Sequence, residues 1–137
     1  MNTFEVMEYW AKGIAEDAEL CEWLSRTFDR PLTIYLGFDD VGRFGEEDAP
    51  YLVMSPTGEE LGPEQEALSL SVMLMFGVVV HDEPARTGDI VSEPAMALME
   101  KEFSPRVLEA IARLRGRGRA VPIRRETATA NVISSSL

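Results

Sequence analysis

Residues 67–81 carry an apolar side chain at every second position, a run of fifteen residues that matches a long β-strand better than any helix. Leu68, Leu70, Val72, Leu74, Phe76, Val78 and Val80 share one face at the two-residue period of a strand. Ser69, Ser71, Met73, Met75 and Val79 share the other, which starts polar and turns apolar. At about 3.3 Å per residue the run is roughly 50 Å long. A globule of 137 residues is only about 37 Å across. The strand therefore bends, with Gly77 as the natural place, or projects as an arm. Helices cover one face of a small sheet, so the second face needs its own cover. Two covers fit: a further internal helix, or a subunit interface built on Met73, Met75 and Val79, since methionine suits adaptable surfaces.

The flanking sequence supplies helices and shorter strands. Residues 4–28 read as helix, with Val6, Trp10, Ile14, Cys21, Leu24 and Phe28 on one apolar stripe. Gly13 weakens its middle by about 1 kcal/mol relative to Ala. Asp17 is placed to cap a second segment, which puts a kink within residues 13–17. Arg30 precedes Pro31, a pair that ends the helix. Residues 32–38 form a strand, residues 39–48 a loop with two glycines and five acids, and residues 51–55 a second strand between Pro50 and Pro56. Residues 57–65 read as a hairpin connection into the long strand. Two helical segments follow, 92–103 and 104–114, opened by Ser92 with Pro94 and by Ser104 with Pro105. Met96, Met99 and Phe103 stripe the first; Val107, Leu108, Ile111 and Leu114 stripe the second. A terminal strand near 121–136 completes the order α-β-β-β-α-β. The expected fold is one α+β domain spanning 1–137, with one mainly antiparallel sheet packed against helices and a long strand or arm near 67–82.

Composition bounds the class. One cysteine makes no internal disulfide, which fits a reducing, cytosolic setting. No apolar run approaches the roughly 18 to 20 residues of a membrane span, and the first eight residues lack a secretory signal pattern. The net charge of −11 is unevenly spread. Residues 1–100 hold 5 basic and 21 acidic side chains, whereas residues 101–137 hold 8 basic and 3 acidic. Opposite patches on one small body attract copies of that body or a charged partner; solvated faces are the plainer alternative.

Catalytic chemistry is thinly supplied. His81 is the only histidine, so no cluster of His metal ligands forms, and it ends the long strand beside Asp82 and Glu83. Cys21 lies on the apolar stripe, where a buried thiol is inert packing; as a nucleophile it would want His81 beside it. Residues 37–44 follow a strand with two glycines but lack the Lys-Ser/Thr pair of a phosphate loop, and Asp39 and Asp40 repel phosphate. The one nucleic-acid cue is Arg115, Arg117 and Arg119, alternating with glycine, with Arg124 and Arg125 beyond. No aromatic residue interleaves with these arginines. They read as a connector or partner-docking segment, or as a passing contact with DNA. The expectation is a protein that is not an enzyme, with no cofactor and no metal.

Several passages in series carry a family resemblance. Ile14-Ala-Glu-Asp17-Ala-Glu-Leu20 leads through Thr27-Phe28 into Thr33-Ile-Tyr-Leu-Gly37-Phe-Asp39. Ala49-Pro50-Tyr-Leu-Val-Met-Ser-Pro56 follows, then the long strand to Val80, a helix and a short strand. The pattern resembles small phage tail proteins, in particular the lambda-type tail terminator or tail-completion (minor tail) group. The resemblance implies a structural virion protein of the tail or neck, assembled in the host cytoplasm. Such a subunit forms a homo-oligomeric ring, commonly a hexamer, that caps the tail tube and joins it to the head-side connector. Its partners would be itself, the tail tube protein and the head–tail connector protein, with no membrane. The Arg-Gly stretch is not a feature of that group. Two other readings stand beside it: a head-completion or neck protein, and a small acidic adaptor or inhibitor that binds a basic partner.

Overall fold

A computed structural model describes residues 3–38, 43–61, 67–114 and 128–134. Two helices open the chain, α1 (Thr3–Glu16) and α2 (Ala18–Phe28). Asp17 divides them: its backbone is extended, and its Oδ1 accepts the Leu20 N–H at 2.9 Å as the N-cap of α2. The break resets the helical phase, so α2 buries Leu20, Trp23 and Leu24. Cys21, expected on the buried stripe, is exposed for that reason. Asp29 ends α2 in the left-handed conformation, which Asp tolerates better than most residues.

The sheet has four strands in the order β1 (Thr33–Leu36), β2 (Tyr51–Leu61), β3 (Ala67–Val80) and β6 (Ala128–Ser134). A separate two-stranded hairpin, β4 (Ala85–Thr87) and β5 (Ile90–Ser92), follows β3. The architecture is α+β, but the sheet is mixed where a mainly antiparallel one was expected. β2 and β3 pair antiparallel, while β1–β2 and β3–β6 pair parallel. Parallel neighbours need crossovers. β1 and β3 run in opposite directions, yet both crossovers step the same way along the sheet. Right-handed connections must then cover opposite faces. That rule sends the β1–β2 connection and the helical run after β5 to opposite faces; α1 and α2, which precede β1, join the second.

One face carries the helices. Leu52, Met54, Leu74, Phe76 and Val78 join Val6, Met7, Trp10, Ile14 and the buried residues of α2 in the main core. The helical run after β5 closes this layer: α3 (Pro94–Leu98), a π-helical turn (Met99–Phe103) and α4 (Ser104–Arg113). Ser92 lies in β5, and the cap of α3 is Glu93, whose Oε1 accepts the Ala95 N–H at 3.0 Å. Ser104 is not a cap either; it is helical and buried, and its N–H reaches the Met99 carbonyl. The wide turn absorbs Pro105, whose ring would clash with a regular preceding turn. Gly13 proves useful where the helix was expected to be weak: a Cβ there would stand 2.5 Å from the Leu114 side chain. Tyr9 Oη donates to the Leu114 carbonyl beside it, at 3.3 Å.

On the other face, the described side chains of β2 and β3 are covered by the β1–β2 crossover where a helix or a sibling chain was expected. Phe38 and Phe44 fold back over Tyr35 and Tyr51, with Tyr35–Phe44 centroids 4.3 Å apart and Phe44–Tyr51 centroids 5.2 Å apart. The Arg43 guanidinium lies 5.0 Å from the Phe38 ring centre. Ala49, Val53 and Met75 complete the cluster. A short 3₁₀ turn, Glu46–Asp48, leads from it into β2. The acids of this loop dominate its composition; its two phenylalanines decide where it goes.

Two expectations for the strands change with the structure. β2 continues through Pro56, where it was expected to stop. β1 covers β2 only from Tyr51 to Met54, so beyond it β2 is an edge strand and needs no donor on that side. The register shifts between Pro56 and Gly58, which accommodates the proline. Gly77, named above as a place for a bend, makes room for a neighbouring ring. It pairs with Tyr51, and a Cβ at this position would fall inside the Tyr51 ring. Gly77→Ala is therefore expected to destabilise the fold by about 1–3 kcal/mol through overpacking, read as a lower urea midpoint with an unchanged denaturant slope.

Candidate interaction surface

The hairpin β4–β5 stands apart from both clusters. Gly88 (φ 61°) and Asp89 form its two-residue turn, with Thr87 paired to Ile90, Arg86 to Val91 and Ala85 to Ser92. Glycine at the first turn position is what a type II′ hairpin requires. All eight residues are exposed, including Ile90 at 68% and Val91 at 57%. Successive residues point to opposite faces, so Ile90 presents an apolar group on one side and Val91 on the other. The Arg86 Nε donates to the Gly88 carbonyl at 3.1 Å and stiffens the tip. Sequence reasoning missed this element. Its signal was the Gly-Asp dipeptide ahead of Ile90-Val91, with flanking triplets too short to show a period.

A half-open cleft of about 250 Å³ lies where α2, the 3₁₀ turn and the end of β3 meet. Phe28, Ala49, Pro50 and Val79 give it apolar walls. Thr27, Arg30, Glu46 and His81 rim it. Arg30 Nη2 donates to the Glu47 carbonyl at 2.6 Å, tying α2's end to the turn and holding the rim in shape.

The residues singled out in the sequence distribute as follows. Met75 is 4% exposed, enclosed within the chain by the aromatic crossover. Met73 and Val79 are half-buried at the border of that cluster, and Val79 faces the cleft. His81 is exposed at the cleft rim. Cys21 is not among the cleft-lining residues; its thiol donates to the Ala15 carbonyl at 3.3 Å. Arg115, Arg117, Arg119, Arg124 and Arg125 lie outside the described residues. Among the described residues no three His, Cys, Asp or Glu side chains gather as metal ligands, and no helix is long and apolar enough to cross a membrane.

Electrostatics divides the surface. Glu5, Glu8, Glu16, Glu19 and Glu22 are exposed along α1 and α2. Arg113 of α4 meets this acidic face in a two-pronged contact with Asp17, Nε–Oδ2 at 2.7 Å and Nη2–Oδ1 at 2.8 Å. Its Nη1 also lies 3.0 Å from Glu19. The Arg113 hydrogen bonds hold the Asp17 carboxyl below its ordinary range, against a smaller opposing effect of burial. Comparison with family models, curated protein sequences and solved structures returns no match to this chain.

Proposed function

We propose that the chain is a structural subunit of a phage tail or neck, assembling as a homo-oligomeric ring that caps the tail tube and meets the head-side connector. One observation carries this reading: among the described side chains both sheet faces are packed by the chain itself, yet an entire hairpin carrying Ile90 and Val91 is left in solvent. A monomer gains nothing from such an element; an assembling subunit uses it as a handle. The element order and the motifs that resemble the tail terminator group agree with it. Assembly, not catalysis, is the task assigned. Stacking on the tube or connector would be partly electrostatic, since α1 and α2 present exposed glutamates and the sequence of residues 115–125 is rich in arginine. Acids facing the ring lumen would let DNA pass without adhering.

Light scattering after size exclusion is expected to give a mass near six subunits at high concentration or in the presence of tail tubes. Particles lacking the protein should show unfinished tails by electron microscopy. Tube binding should weaken between about 50 and 500 mM salt if charge docks it. Binding insensitive to salt would remove the electrostatic part. A small acidic adaptor is the second reading, favoured by the exposed glutamates of α1 and α2. It expects a monomer or dimer that captures a basic partner and never decorates tube ends.

A further inference from the structure

We propose that the β4–β5 hairpin of one copy inserts into the cleft between α2 and the end of β3 on the next copy, and that this is the contact that propagates the ring. The inference rests on the ring reading above and names its interface. A hairpin with one aliphatic side chain on each face cannot bury both by lying on a flat surface. Docking edge-on at a cleft places one of them inside it and the other against its rim.

The cleft offers apolar walls, Phe28 and Val79 with Ala49 and Pro50. Its volume of about 250 Å³ exceeds the roughly 150 Å³ that suffices for a benzene molecule in an apolar cavity. One or two aliphatic side chains fit; a drug-sized ligand does not. Charge favours the same pairing. Arg30 and Glu46 stand on the rim of the cleft, while Asp89 and Arg86 stand on the hairpin. Asp89 toward Arg30 and Arg86 toward Glu46 is a complementary arrangement that fixes the orientation of insertion. Hairpin and cleft are different surfaces of one chain, so the contact is heterologous. Heterologous contacts generate a ring when the rotation closes.

The test uses two single-cysteine variants in a Cys21→Ser background, Ile90→Cys on the hairpin and Thr27→Cys on the cleft rim. Both positions are exposed, so neither change disturbs the core. Mixing the two proteins under mild oxidation is expected to yield a disulfide-linked heterodimer above the yield of either alone. In parallel, Ile90→Asp is expected to weaken self-association about tenfold or more with an unchanged circular dichroism spectrum. Wild-type rings without the mixed cross-link, or with Ile90→Asp assembling normally, would overturn the hairpin contact and leave the ring reading intact. A wild-type chain that stays monomeric at high concentration and on tubes, with no cross-link, sinks both. Cross-linking of Thr27→Cys and Ile90→Cys only within a single doubly substituted chain would show a self-closing flap and also overturn the proposal. Should Ile90→Asp misfold, the cysteine pair, which adds no charge, decides alone.

Discussion

Phe103→Ala is expected to lower stability by about 3–5 kcal/mol, the range for truncating a fully buried aromatic side chain. Phe103 is completely enclosed and sits where three elements converge. Its ring lies 4.9 Å from Phe76 of β3, 5.6 Å from Trp23 and 6.0 Å from Phe28, both of α2, centroid to centroid. It is also the last residue of the π-helical turn, so its position depends on the wide turn that Pro105 demands. Truncation therefore opens a cavity that α2 can close only by moving. Domains of this kind are stable by about 5–15 kcal/mol in total, so the loss takes a large share. Phe28 also walls the cleft, and its support weakens with Phe103. Urea unfolding checks the magnitude. A loss below about 1 kcal/mol would mean that the helical layer does not pack on the sheet as described.

Asp17→Ala removes two functions of one carboxylate and is expected to cost about 2–3 kcal/mol. The α2 cap accounts for about 1 kcal/mol, and the charged hydrogen bonds to Arg113 for about 1.5 kcal/mol or somewhat more. Arg113 is partly exposed, which keeps the second figure near the low end of its range. Asp17→Ser separates the two, since serine caps but cannot pair with Arg113. A double-substitution cycle with Arg113→Ala then isolates the pair. The pair also predicts a pH dependence. The folded carboxyl titrates below its ordinary value near 3.8, so its contribution is complete above that value. The contribution declines as the pH falls through the lower, folded value. The stability gap between wild type and Asp17→Asn should thus be widest above about pH 5 and shrink in strong acid. A gap that widened on acidification would contradict the Arg113 contact.

The cleft was the least legible feature. Thr27, Phe28, Arg30 and Glu46 were visible only as the end of a helix and part of an acidic loop. Ala49, Pro50 and Val79 were strand-side residues with no common signal. They meet because the β1–β2 crossover folds over the sheet, and nothing in residues 37–50 has a period that announces such a path. The hairpin was legible in principle from Gly88 and Asp89. Its two three-residue strands are simply below the length at which alternation carries information.

The chain's own pattern determined what depends on neighbours in sequence. The strand at β3 and the cap at Asp17 are local, and each forms as read, while α2 stops at Asp29, just ahead of the expected Arg30-Pro31. The cover over Met75, the parallel pairing of β1 with β2 and of β6 with β3, and the ends of β2 were decided in three dimensions. Sheet pairing and face assignment are set by which distant segments compete to cover the same apolar surface. Here two aromatic residues flanking an acidic loop cover the second face, and only the folded chain shows that they do.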